Sequence, residues 1–181
     1  MTGQIKLKGT PGNFTETDFT ATKFATAEEK ARIANKLTRF ILGGFNRNSF
    51  SKAMYTRLSN MYGHIAHYDI HGFYETWFSG SKERSKWAEY VLRGGAYGCV
   101  GSPAHTWSDV EKALMVWMRD NRIDEQLDAL YRAEVEECEL ALLRNLQAKY
   151  PTQAGEAIAL PVQLEGITNT LDAQSQQLSL F

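Results

Sequence analysis

Residues 123–149 read IDEQLDALYRAEVEECELALLRNLQAK, and this run indicates the fold class more clearly than any other part of the chain. Its apolar residues recur every three or four positions, which is the spacing of one face of an α-helix. The pattern predicts one long helix, ended by Pro151, because proline lacks the amide hydrogen that would continue it. The predicted buried face consists of Ile123, Leu127, Leu130, Tyr131, Val135, Cys138, Leu142 and Leu146.

The same periodicity predicts two helices near the start of the chain. Thr26 is placed to cap the first, since a threonine hydroxyl accepts free amide hydrogens of a first turn. The pair Gly43–Gly44 is expected to end it. The second helix begins near Asn48 or Ser49, which are both suitable caps. Their apolar stripes are Ile33, Leu37, Phe40 and Ile41, and then Phe50, Ala53, Met54, Leu58 and Met61.

Two more helices are predicted before the long one. Residues 83–93 carry Trp87, Tyr90 and Val91 at inward-facing positions. Ser108 and Glu111 form an S-x-x-E capping box ahead of the next apolar run. Residues 1–26 have no helical period and are predicted to be extended chain or one or two short strands. We therefore expect a mainly α fold, with five or six helices in a single domain over residues 1–150.

Composition favours an ordinary soluble domain. The chain has 181 residues, of which 43% are apolar and 23% charged, close to the average for globular proteins. It contains no apolar run of about 18 residues and does not open with a secretory signal. Cys99 and Cys138 form no disulfide framework. We expect a cytoplasmic protein without a membrane partner.

Charge is distributed unevenly along the chain. Residues 1–60 hold ten Lys/Arg and four Asp/Glu, whereas residues 121–181 hold four Lys/Arg and ten Asp/Glu. The basic part either pairs with the acidic part of the same chain or binds phosphate groups. If it binds nucleic acid, the candidate residues are Arg32, Lys36, Arg39, Arg47, Lys52 and Arg57.

Residues 151–181 differ in composition from the rest. They hold three acidic residues, no basic residue and five glutamines, which is typical of a flexible tail. Within them, Ala157–Leu164 is apolar enough to lie against the body of the protein. The last five residues, QLSLF at 177–181, are also unlike a solvated tail, because leaving large apolar side chains in water forgoes about 1.5–3 kcal/mol each.

The pentapeptide resembles the motif by which bacterial polymerases, repair proteins and plasmid initiators bind the β sliding clamp. The resemblance implies that Gln177 is the polar anchor and Leu178 a shallow apolar contact. Leu180 and Phe181 would enter the hydrophobic pocket of the clamp, and Ser179 would act as a spacer. The resemblance covers five residues and implies nothing about the fold of residues 1–176.

A run of histidines is the strongest candidate centre within residues 1–150. On one continuous helix, His64, His67, His71 and Glu75 share a face, and these are residue types that bind zinc or iron. Gly72 weakens the expectation of an unbroken helix. A divalent metal site is therefore one interpretation, beside a polar site without metal and an aromatic-rich core segment.

Together these features predict a small DNA replication or repair accessory, or a phage or plasmid protein, that docks on the sliding clamp. Its helical body would act on DNA or on another protein. Two alternatives stay open. One is a metal- or histidine-dependent enzyme, such as a nuclease, that uses residues 64–75. The other is an inhibitor that competes for the clamp pocket.

Overall fold

The computed structural model describes residues 6–61 (without the side chain of Asn60), 69–93 and 101–150. This part of the chain contains six α-helices and no β-strand, which confirms the mainly α fold. No helix in it is both long and apolar enough to cross a membrane. The helices are α1 (Ala27–Leu42), α2 (Lys52–Met61), α3 (Ile70–Trp77), α4 (Ser81–Leu92), α5 (Ser108–Asp120) and α6 (Ile123–Lys149).

The chain divides into two units between Leu140 and Ala141. The first unit holds helices α1 to α5, most of α6 and the hydrophobic core. The second unit contributes only the end of α6 and Tyr150 to the part of the chain that the structure describes.

Helix α1 begins and ends as its sequence predicts. The Thr26 hydroxyl accepts a hydrogen bond from the Glu29 amide at 3.0 Å, so it caps the first turn. At the other end Gly44 adopts φ 73°, the left-handed conformation that glycine tolerates best. Phe45 follows with φ 59°, a conformation that costs energy in a residue with a Cβ atom. Its wholly buried ring offsets that cost.

Aromatic rings fill the centre of the first unit. The Phe45 and Phe78 rings stack with centroids 5.1 Å apart, and Phe40 and Trp87 each meet Phe78 edge-on at 5.3 Å. These offset and edge-to-face arrangements add attraction beyond the burial of area. The rings come from α1, from α4 and from the segments that follow α1 and α3, so the cluster joins the end of α1 to the α3–α4 region.

The segment before α1 forms no strand within the described residues. It contains one short 3₁₀ helix, Glu16–Asp18, which was not predicted, and parts of its backbone pair with side chains. The Asn35 side chain accepts from the Phe14 amide at 2.9 Å and donates to its carbonyl at 2.8 Å. The Trp117 indole donates to the Thr10 carbonyl at 2.8 Å. Buried backbone groups need such partners, so these contacts hold the segment in place without a β-ladder.

Two predicted caps are wrong. Helix α2 is capped by Ser51, whose hydroxyl accepts from the Met54 amide at 3.3 Å, and not by Asn48 or Ser49, which belong to a short 3₁₀ turn. Helix α5 begins at Ser108, but the Ser108 hydroxyl donates to the Gly101 carbonyl at 3.0 Å. Ser108 is the first residue of the helix and follows the N-cap position, which Trp107 occupies, so its hydroxyl does not form the predicted capping box. Ala53, predicted to be buried in α2, is exposed.

The predicted bounds of α6 are confirmed, whereas its predicted buried face is only partly right. Ile123 and Leu127 are buried and Leu130 is half-buried against the core. Every residue from Arg132 to Tyr150 is exposed. Cys138, predicted to be a core residue, is therefore exposed. Helical periodicity shows which residues share a face, but it does not show whether another element covers that face.

Candidate functional site

The six basic residues proposed for nucleic-acid binding do not form one free surface. Arg32, Arg39 and Lys52 are exposed. Lys36 is half-buried, and its ammonium donates to the Ser51 hydroxyl at 3.3 Å. The remaining two residues, Arg47 and Arg57, contact other side chains within the first unit.

Arg57 is paired internally. Its guanidinium forms a salt bridge with Glu29 of α1, and both side chains are about three-quarters buried. The same guanidinium lies 5.0 Å from the centroid of the Trp107 ring, within the range of a cation–π contact. This residue therefore links α2 to α1 and to the segment before α5. Its acidic partner lies within the basic part of the chain, residues 1–60, and not in the acidic residues 121–181.

Lys30 forms a second internal salt bridge, with Asp109, which was not predicted from the sequence. Its side chain is fully buried, and the ammonium lies 2.9 and 3.0 Å from the two carboxylate oxygens of Asp109. The carbonyls of Pro103 and Thr106 accept further hydrogen bonds at 3.0 and 2.9 Å. The position of Lys30 in the sequence could have indicated its burial, because it lies one turn before Ile33, on the apolar side of α1.

The histidine run does not lie on one continuous helix. Asp69 has extended backbone angles, and its carboxylate accepts from the Gly72 amide at 2.7 Å as the cap of α3. Mainly because of that hydrogen bond, the pKa of Asp69 is lowered, although desolvation of the carboxylate opposes the effect. The interruption removes the shared helical face on which the metal hypothesis depended.

The members of that run have different positions. His64 and His67 lie outside the described residues, whereas His71 and Glu75 are exposed on α3. Among the described residues, no group of three or more His, Cys, Asp or Glu side chains is placed to hold a metal ion. Because the backbone at Asp69 interrupts the helix, the structure does not support a divalent metal site formed by His64, His67, His71 and Glu75.

The structure brings His71 together with Arg47, one residue from each predicted set. The Arg47 guanidinium hydrogen-bonds to Nδ1 of His71 and lies 4.5 Å from the centroid of the Tyr74 ring. Nη1 of Arg47 is buried without a hydrogen-bond partner. The Tyr74 hydroxyl donates to the Phe45 carbonyl at 2.5 Å. Burial raises the pKa of Tyr74, and Arg84 and Arg47 oppose that rise.

Arg47, Tyr74 and Phe45 border a cleft of about 680 Å³, a volume typical of small-molecule sites. Two arginines and two glutamates line it, so its charges balance. Glu134 accepts from the Ser81 hydroxyl, and Arg84 donates to the Phe78 carbonyl at 2.8 Å. The lining residues are Gly44, Phe45, Asn46, Arg47, Tyr74, Ser79, Gly80, Ser81, Arg84, Leu130, Ala133, Glu134 and Glu137.

The chemistry of this cleft is that of polar recognition. Nη1 of Arg47 has no hydrogen-bond partner but is itself buried, so a ligand in the cleft would not reach it without a rearrangement of the side chain. The two glutamates make the cleft unsuited to a polyanion such as a nucleic-acid backbone. Arg47 was a candidate from the sequence for another reason, nucleic-acid binding. Arg84 and Glu134 were not identified, because residues from separate segments of the chain meet here.

A shallower groove of about 460 Å³ contains both exposed arginines of α1. Arg32 and Arg39 line it together with Glu16 and Glu28. A phosphate would therefore meet two cations and two carboxylates in this groove. Among the six basic residues predicted to bind nucleic acid, Lys52 is also exposed, but it does not line this groove.

The clamp-binding residues Gln177, Leu178, Ser179, Leu180 and Phe181 lie outside the described residues. Tyr150 is the last residue that the structure describes, so 26 residues (151–176) separate it from the motif. No protein-family model, no curated protein and no solved structure matches this chain.

Proposed function

We propose that this protein docks on the bacterial β sliding clamp through Gln177–Phe181 and acts there as a small replication or repair accessory. The observation that carries the proposal is the pentapeptide QLSLF itself, which has the consensus residues of the clamp-binding motif. A short apolar peptide that ends in two large side chains suits a preformed pocket. An accessory protein encoded by a phage or a plasmid is one form of this proposal.

The helical body acts on DNA or on another protein at the clamp. In support of DNA, Arg32, Arg39 and Lys52 are exposed cations. In support of a smaller polar partner, the cleft at Arg47 and Tyr74 is lined by two arginines and two glutamates, whose charges balance. No contact of the described residues favours the metal-dependent enzyme as a second candidate function.

The test is binding of the full-length chain to immobilised, purified sliding clamp. A five-residue motif buries little area, so we expect a dissociation constant in the micromolar range, about −8 kcal/mol. Removal of Gln177–Phe181 is expected to abolish binding, and so is the double change Leu180→Ala with Phe181→Ala. Ser179→Ala is the matched control and should bind as the parent does, since Ser179 is the spacer.

Binding that survives removal of the pentapeptide would refute the proposal, as would a full-length chain that does not bind. Primer extension by a clamp-dependent polymerase then separates recruitment from inhibition. Inhibition by the parent chain that disappears in the Leu180→Ala, Phe181→Ala variant would assign the inhibitor form. Unchanged extension would assign the accessory form.

A further inference from the structure

The end of α6 carries an apolar stripe that no other described residue covers. It consists of Leu142, Leu143, Leu146 and Tyr150, which are 59%, 50%, 46% and 64% exposed. At about 100° per residue they lie within an arc of about 100° on the helix. A helix end surrounded by water is only marginally stable, and exposure of four large side chains forgoes part of their burial energy. We therefore expect another apolar segment to cover this stripe.

We propose that residues 157–164 of the same chain, AIALPVQL, lie along this stripe. Every second residue of that segment is large and apolar: Ile158, Leu160, Val162 and Leu164. Extended chain separates alternate residues by about 6.6 Å, and a helix separates residues four apart by about 6.0 Å. The two apolar rows therefore repeat at nearly the same distance.

The length of the connection between the stripe and the segment determines the direction in which the segment runs along α6. Six residues, 151–156, connect the end of the stripe to the segment, and Pro151 and Gly155 among them favour a turn. After a reversal the segment runs antiparallel to α6, with Ile158 beside Tyr150 and Leu160 beside Leu146. Pro161 suits this position, since an extended segment beside a helix needs no amide hydrogen there.

Charge favours this segment over a second copy of the chain. Residues 141–150 carry Arg144 and Lys149 and no acidic residue. Residues 151–165 carry Glu156 and Glu165 and no basic residue. The helix end and the segment therefore attract each other, whereas two copies of the helix end repel each other. The short connection also raises the effective concentration of the segment to the millimolar range.

The proposal does not depend on clamp binding, but it affects how the terminal motif is presented. If residues 157–164 lie on α6, the motif at 177–181 is separated from its anchoring point by 12 residues, 165–176. A connection of that length spans at most about 40 Å.

Disulfide trapping in the full-length chain tests the proposal. The variant Leu146→Cys with Leu160→Cys is made in a background with Cys99→Ser and Cys138→Ser, oxidised, and examined by non-reducing electrophoresis and peptide mass spectrometry. A disulfide forms when the two Cα atoms approach within about 7 Å. We expect an intrachain disulfide in a monomeric protein.

The matched control pairs Ala148→Cys with Leu160→Cys, because Ala148 lies on the far side of α6 from the stripe. We expect at least tenfold less intrachain disulfide in this variant. Equal yields from both pairs, or no disulfide from the first pair, would overturn the proposal. A disulfide-linked dimer through Leu146→Cys would overturn it in favour of a second copy. Far-UV circular dichroism matching the parent shows that both variants are folded.

Discussion

The buried ammonium of Lys30 lies 2.9 and 3.0 Å from the two carboxylate oxygens of Asp109, 79 residues further along the chain. Two backbone carbonyls, of Pro103 and Thr106, complete its surroundings. Asp109 also accepts from the Thr20 amide at 2.9 Å. One lysine therefore joins α1, α5 and the segment that precedes each of them.

Replacing Lys30 with methionine should destabilise the fold by about 3 kcal/mol, because it leaves the Asp109 carboxylate and two carbonyls without their donor. Urea denaturation measures the change in the free energy of unfolding. Lys52→Met is the matched control at an exposed lysine and should change that free energy by less than about 0.5 kcal/mol. Similar values for the two variants would contradict the assigned role of Lys30.

Replacing Tyr74 with phenylalanine should cost about 1–3 kcal/mol, since the Phe45 carbonyl loses its partner inside the protein. Exposed Tyr150→Phe serves as the control and should be close to neutral. Burial raises the pKa of Tyr74 in the folded state above its ordinary value of 10.0. The contribution of Tyr74 to stability is thus fully present below pH 10 and is lost as the pH rises through the folded-state pKa.

This alkaline decline is measurable as a fall in the unfolding midpoint as the pH rises above about 10. Tyr74→Phe should show a smaller decline than the parent, because phenylalanine does not titrate. An identical pH profile for parent and variant would show that Tyr74 has the same pKa in the folded and unfolded states.

Asp69→Ala should lower the thermal midpoint, since α3 loses the carboxylate that accepts the Gly72 amide. Asp69→Asn keeps an acceptor at the cap and should stay close to the parent at pH 7. The folded-state pKa of Asp69 is lowered, so its contribution is present above about pH 4 and is lost as the pH falls. Melting curves at pH 7 and pH 3 should therefore differ more for the parent than for either variant.

Arg57→Gln should lower stability by up to about 1 kcal/mol, because the partly buried Glu29 pair and the contact with Trp107 are lost. It should leave any DNA binding unchanged. The triple variant Arg32→Gln, Arg39→Gln, Lys52→Gln should show the reverse, with normal stability and weaker retention of DNA at low salt. Gel shifts at two salt concentrations measure the DNA affinity of both variants. Equal affinities would contradict the assignment of Arg57 to stability and of the three exposed residues to DNA binding.

Local sequence determined the elements that depend on near neighbours. The Thr26 cap, the glycine end of α1 and both bounds of α6 follow from contacts within a few residues, and all are present as predicted. The alternation of apolar positions likewise identified the buried residues of α1, such as Leu37 and Ile41. Propensity and periodicity are properties of the chain itself, so they can be derived without knowing the neighbouring elements.

Contacts between distant residues decided the rest. Cys138 has the sequence of a core residue but is exposed, because no other described element covers that part of α6. Lys30 is buried because Asp109 meets it, and Arg47 meets His71 and Tyr74 only because α3 packs beside the α1–α2 connection. The sequence by itself determined five of the six described helices, all but α3, and the C-terminal pentapeptide. Tertiary structure alone decided which charges are paired and which helix faces are covered, since both depend on what a residue contacts across the fold.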